Sequence, residues 1–134
     1  VKSSEGSDAR GHETILLVED EASVRRLARH LLERHGYTVL QAESGPSALA
    51  VWETHRGRID VVLTDMVMPD GLSGLDLAAR LLAENPRLTV IVTSGYSVDL
   101  VGRDLTVTDR VSFLAKPYSV HQLVRAVRAS LDDR

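Results

Sequence analysis

The chain has 134 residues, with 19 acidic against 16 Lys and Arg side chains and no cysteine. That length suits a single domain, and a net charge of −3 argues against a protein built to coat nucleic acid. The lack of cysteine excludes a disulfide framework, a thiolate metal site and a Cys nucleophile, and no apolar run approaches the ~20 residues of a membrane span.

Residues 1–13 (VKSSEGSDARGHE) are Ser, Gly and charge with little to bury, so they read as a disordered leader or linker ahead of a folded domain over 14–134. There is no basic-then-apolar start of a signal peptide. From Thr14 the pattern changes. Thr14–Glu19 is a short apolar run ending in acid, which predicts a buried strand. Over Glu21–Gly36, apolar residues at Val24, Leu27, Ala28 and Leu31 trace one helical stripe, and Gly36 stops it. Tyr37–Ala42 reads as a second strand and 45–55 as a helix. Asp60–Asp65 is a third strand, followed by a Met-Pro-Asp-Gly loop and a helix over 74–84. Leu88–Ser94 is a fourth strand, and 98–105 a short helix interrupted by Gly102. Val111–Ala115 is a fifth strand, and 119–131 a helix with Val120, Leu123, Val124, Val127 and Leu131 on one stripe.

Five alternating strand–helix units with unbroken apolar strands predict an α/β fold, a parallel sheet covered on both faces. Five units are too few for an eight-stranded barrel, which leaves an open, doubly wound sheet with its ligand site beyond the carboxyl ends of the strands. The residues at those ends are Glu19 and Asp20, Asp65, Ser94 and Gly95, and Lys116 and Pro117. Clustered carboxylates repel and call for a cation. Oxygen ligands without His or Cys suit a hard ion, Mg²⁺ before an all-protein calcium cage. A lysine supplies a point charge for phosphate, a serine hydroxyl a donor, and an aspartate a phosphoryl-accepting nucleophile.

These residues carry a resemblance. The segments LLVEDE at 16–21, LTDMVMPDGLSG at 63–74, VIVTSGY at 90–96 and FLAKPY at 113–118 are similar to those of the CheY-like receiver domains of two-component response regulators, over about residues 14–131. The resemblance implies a flavodoxin-like (βα)5 sheet in the order 2-1-3-4-5. It implies Asp65 as the phospho-accepting residue. Mg²⁺, with Mn²⁺ as an alternative, would be bound by Asp20 directly, by Glu19 through water, by Asp65 and by the Val67 carbonyl. Ser94 is then the switch hydroxyl, Lys116 the phosphate-binding lysine and Phe113 the aromatic that reports phosphorylation. Gly95 and Pro117 support them, and Pro117 stands where the family often has a cis bond. Val67 and Tyr96 stand where the family tunes the lifetime of the phosphoaspartate; both are apolar and bulky here, which predicts self-hydrolysis over minutes or longer.

By the same resemblance the partner is a histidine kinase or histidine phosphotransfer domain, with a homodimer or an intramolecular partner domain as further options. No direct contact with nucleic acid or membrane is expected. The setting is cytoplasmic, and the domain signals rather than turning over substrate. The Val start, the leader and the few residues after Leu131 suit a receiver at the C-terminal end of a hybrid sensor kinase, whose parent protein can be membrane-bound. The chain departs from the family in its Glu-Asp pair, its Ser at the switch, Thr108-Asp109-Arg110 in place of Gly-Ala, and its short 98–105 helix.

Three rival readings stand beside this one. An aspartyl-nucleophile phosphohydrolase needs a second acid two residues after the nucleophile, where this chain has Val67. A flavin binder needs a Ser/Thr/Gly phosphate loop after the first strand, where Glu-Asp-Glu stands. A receiver-like module without phosphorylation would not need the acidic site. Of the side residues, Trp52 is expected to pack the second helix or, if partly exposed, to mark a kinase-docking patch; the five histidines are expected to lie on the surface, and Arg25, Arg26, Arg29 and Arg34 to form a solvated face or meet an acidic partner.

Overall fold

A computed structural model of the chain describes residues 11–68, 71–95 and 110–132. The strands are β1 (Thr14–Val18), β2 (Thr38–Ala42), β3 (Val61–Asp65), β4 (Thr89–Ser94) and β5 (Val111–Ala115). The helices are α1 (Ala22–Arg34), α2 (Gly45–Thr54), α3 (Gly74–Glu84) and α4 (Val120–Asp132). Predicted and observed boundaries agree within two residues, the usual scatter of frayed ends. The expected 98–105 helix, Tyr96 and most of the leader lie outside the described residues.

All four pairings are parallel, and the strand order is β2-β1-β3-β4-β5. The fold is thus the doubly wound α/β sheet expected from the alternation. β1, β3 and β4 are buried on both faces, which is why they read as unbroken apolar runs. β2 and β5 form the edges and are half-exposed.

The period of two along each strand divides the core. Leu16, Val18, Val62, Val90 and Val92 point to one face, where Ala48 and Trp52 of α2 and Leu77 and Leu81 of α3 cover them. Ile15, Leu17, Val61, Leu63 and Ile91 point to the other, under Ala28 and Leu32 of α1 and Leu123, Val127 and Leu131 of α4. Trp52 is buried as expected, and its indole N–H donates to Glu84 at 3.0 Å. It therefore offers no docking patch.

Val24, Leu27, Ala28 and Leu31 lie along one stripe of α1, as the spacing predicts, but the stripe is not the whole of the buried face. Only Ala28 and Leu32 are buried, and Leu27 is 60% exposed. Two adjacent registers of a 3.6-residue repeat both read as amphipathic, and the packing of α1 against Ile15, Leu17 and their neighbours takes the one holding Leu32. The apolar side left over faces outward.

At the amino ends of the strands the chain is clasped. Glu13, just before β1, is buried and accepts from both Nη1 (3.2 Å) and Nη2 (3.0 Å) of Arg128 on α4. Arg128 also pairs with Asp132 at 2.9 Å and donates to the Tyr37 hydroxyl at 3.4 Å. Burial on its own would raise the Glu13 pKa; the hydrogen bond and charge of the Arg128 guanidinium, with backbone N–H donors at His12 and Glu13, outweigh it and lower the carboxyl to about 2.

Candidate functional site at the carboxyl ends of the strands

β1 and β3 are neighbours, so their ends deliver Glu19, Asp20 and Asp65 to one place. One carboxylate oxygen from each lies within 4.8 Å of the others. Glu19 and Asp65 are each only 5% exposed, while Asp20 is open to water. The turn after β1 is held by backbone geometry. The Glu19 N–H donates to the Ala42 carbonyl at 3.0 Å, and Arg25 donates to the Glu19 carbonyl at 2.7 Å. Asp65 is held from behind by α3. Ser73 caps that helix in a reciprocal pair with Asp76, and the Gly74 N–H donates to the Met66 carbonyl at 2.8 Å. A side chain at position 74 would run into the Asp65 carbonyl oxygen, so only glycine permits this approach.

Lys116 enters from the end of β5. Its N–H donates to the Ser94 carbonyl at 2.8 Å, and the peptide bond between Lys116 and Pro117 is cis, as expected. Its ammonium lies 2.5 Å from Asp65 Oδ1 and 3.3 Å from Glu19 Oε1. One lysine thus spans two buried carboxylates. Desolvation alone would lower the Lys116 pKa, but the hydrogen bond and charge of Asp65, with Glu19, more than offset it and hold the pKa above the usual lysine range. Glu19 moves the opposite way from Glu13. Burial first, then the adjacent Asp65, push it up to about 7 against the opposing pull of the Glu21 N–H and Lys116.

The expected hydroxyl is present with a difference. Ser94 ends β4 and is buried, in the same alternation as Val92, which pairs with Phe113 of β5. Phe113 is half-buried against the α2–α3 side of the core. The residue before Ser94 was not singled out from the sequence. Thr93 is the register partner of Asp65 and is 4% exposed, and its Oγ1 donates to Asp65 Oδ1 at 2.8 Å. Parallel pairing puts register partners on the same face of a sheet, so parity along β4 was the signal that marks Thr93 rather than Ser94 as the neighbour of the carboxylate. Val67 is 62% exposed beside the site, Gly95 is exposed, and Tyr96 lies outside the described residues. His30 and His121 are exposed; His35 and His55 each bond a carbonyl of their own helix.

The donor set fits a hard divalent cation. Among the described residues it is all oxygen, it carries three carboxylates against one ammonium, and its most exposed member, Asp20, leaves room for water ligands. Next to it runs an apolar groove between Val24, Leu27 and Leu31 of α1 and the segment Pro117, Tyr118 and Val120, with Glu21 and Lys116 at its rim. No helix among the described residues is long and apolar enough to cross a membrane.

Comparison with known proteins agrees with this geometry. Residues 15–128 match the family described as the response regulator receiver domain. The chain is 38% identical over 131 residues to the sensor kinase CckA of Brucella abortus, covering 98% of this chain and 14% of that protein. The chain spans half or less of the length of the first curated relatives it matches. Among solved structures, the receiver domain of the hybrid histidine kinase CckA is 35% identical with a TM-score of 0.75, covering 88% of this chain and 98% of that one. The response regulator TrrA of Thermotoga maritima, solved in complex with Mg²⁺ and BeF, is 30% identical with a TM-score of 0.76, covering 89% and 99%.

Proposed function

The chain belongs to the response regulator receiver domain family, a family of signalling modules rather than turnover enzymes, and from that premise we propose that Asp65 takes a phosphoryl group from a phosphohistidine. The N–P bond breaks with its electron pair going to the imidazole, and a carboxylate oxygen of Asp65 forms the new O–P bond. The observation that carries the reading is the buried Asp65 carboxylate held against Lys116 in a cluster of three acids. Mg²⁺, or Mn²⁺ in its place, held by Asp20, Asp65 and the Val67 carbonyl with Glu19 through water, supplies charge neutralisation for the phosphoryl oxygens when bound.

Lys116 positions the phosphoryl group as a point charge and gives up its pairing with the carboxylate to do so. Ser94 then donates to a phosphoryl oxygen, and Phe113, which pairs with Val92 two residues back along β4, follows it. The two arrangements give the domain two surfaces whose balance phosphorylation biases. Val67 carries no polar group and Tyr96 no carboxylate or amide to act on an attacking water, and both are bulky, which supports slow self-hydrolysis. Gly95 and Pro117 shape the two strand exits.

The donor is a histidine kinase or histidine phosphotransfer domain. Support comes from the apolar groove beside the site, whose exposed Leu27 and half-exposed neighbours could receive a helix while Lys116 at the rim meets the phosphoryl group. Residues 14–134 form the receiver, 1–13 its leader or linker, and the likeness to a hybrid kinase receiver supports placement in such a protein, in the cytoplasm. The direct test is labelling with phosphoramidate and Mg²⁺. The chain takes one phosphoryl group, an Asp65→Asn variant takes none, and the label decays over minutes or longer. Undiminished labelling of the variant would sink the assignment.

A further inference from the structure

Thr93 is bonded to the acceptor on two sides. Its hydroxyl donates to Asp65 Oδ1 at 2.8 Å, and its backbone carbonyl accepts from the N–H of Met66, the next residue along, at 2.8 Å. Both partners of the side-chain bond are buried, and the β4–β3 register fixes their backbones opposite one another. Threonine is β-branched and stiff at χ1, so this hydroxyl has little freedom to leave. Oδ1 also receives the Lys116 ammonium at 2.5 Å.

A carboxylate has two oxygens, each with two lone-pair directions in its plane. Among the described residues two donors converge on Oδ1, the Thr93 hydroxyl and the Lys116 ammonium, and draw on its lone pairs. Oδ2 keeps the lone pairs that can attack phosphorus. We infer that Thr93 is a positioning residue that selects Oδ2 of Asp65 as the phosphoryl-accepting atom; the inference rests on the acceptor reading above. With phosphoramidate as donor, an Oδ2 lone pair forms the O–P bond, and the N–P bond breaks with its pair leaving on nitrogen as ammonia. Oδ1 becomes the carbonyl oxygen of the acyl phosphate. Lys116 is then free to follow the phosphoryl group, because Thr93 alone keeps Oδ1 in place. Without Thr93 the carboxylate turns more freely about χ2, and fewer encounters find Oδ2 aligned.

The experiment compares the wild-type chain with Thr93→Val, which removes the hydroxyl at constant shape, and Thr93→Ser, which restores it. Labelling by phosphoramidate with Mg²⁺ is followed at rising donor concentration. The expected result for Thr93→Val is a maximal rate constant about tenfold lower, the loss of one hydrogen bond to a charged group, with the half-saturating donor concentration unchanged. Thr93→Ser returns the rate to within about twofold of wild type. The ¹³C resonance of the Asp65 carboxyl, read in metal-free protein, shifts in Thr93→Val and not in Thr93→Ser. Thermal unfolding shows that the variants are folded, and Thr93→Ala gives the same loss of hydroxyl if Val is not accommodated. Wild-type rates in Thr93→Val, or a Thr93→Ser variant as slow as Thr93→Val, would overturn the inference and leave the acceptor reading standing. A wild-type chain that takes no label overturns the acceptor reading and this inference with it.

Discussion

Two buried glutamates stand at opposite ends of the same sheet and meet opposite fates. Glu13 lies at the amino ends of the strands, is 7% exposed, and is lowered to about 2; Glu19 lies at the carboxyl ends, is 5% exposed, and is raised to about 7. Burial penalises both carboxylates to begin with, so burial does not separate them. Partners do. Glu13 has a guanidinium that bonds both of its oxygens. Glu19 shares one ammonium with Asp65, the stronger claimant at 2.5 Å, and stands beside that second carboxylate. The amino end is electrostatically complete and reads as a structural clasp. Among the described residues the carboxyl end is short of positive charge, and a site short of positive charge can take up a cation and respond to a phosphoryl group.

The largest expected effect breaks the complete end. Glu13→Gln removes the buried carboxylate that pairs with Arg128 and costs about 3 kcal/mol of stability at neutral pH, measured by urea unfolding. Phosphoramidate labelling of Asp65, at the far end of the sheet, supplies the control that this loss is confined to the clasp.

The pH dependence of that loss sharpens the contrast. Because the folded-state pKa of Glu13 is depressed, its contribution is fully present above the unfolded value of 4.5 and disappears as the pH falls through about 2. Wild type and Glu13→Gln therefore converge in stability between about pH 4.5 and 2, and a gap that stayed constant across that window would rule out the clasp as the cause.

A smaller effect belongs to the incomplete end. Mg²⁺ at ten times its dissociation constant stabilises the chain by about 1.4 kcal/mol, seen as a rise in the unfolding midpoint. Asp20→Asn removes most of that rise. The smallest effect is at the groove. Leu27→Ser changes stability by no more than about 0.5 kcal/mol, because the side chain is mostly in water, and under the proposed docking it slows phosphoryl transfer from a histidine kinase.

Much of this was legible beforehand for a definite reason. In a doubly wound sheet ligand sites lie at strand ends, so LLVED, LTD, VTS and LAK each place a polar side chain of the candidate site at a recognisable boundary. Asp65, Lys116 and the acidic pair could be read one strand at a time. Leu27 could not, because a helical stripe shows that a face is apolar and not what covers it. Thr93 was passed over because the neighbouring Ser94 fits the family pattern, and only the register of β4 against β3 says which hydroxyl shares a face with the carboxylate.

The amino-acid sequence by itself determined the order of elements, the parallel sheet and the residues at its rim, because periodicity and strand-end chemistry are local along the chain. Tertiary structure alone decided how those residues are charged and held. Glu13 meets an arginine 115 positions away, Lys116 reaches Glu19 across 97, and Thr93 reaches Asp65 across 28. Hydrogen bonds and Coulomb forces act over a few ångströms of space, and the distances that set them exist only once the sheet has formed.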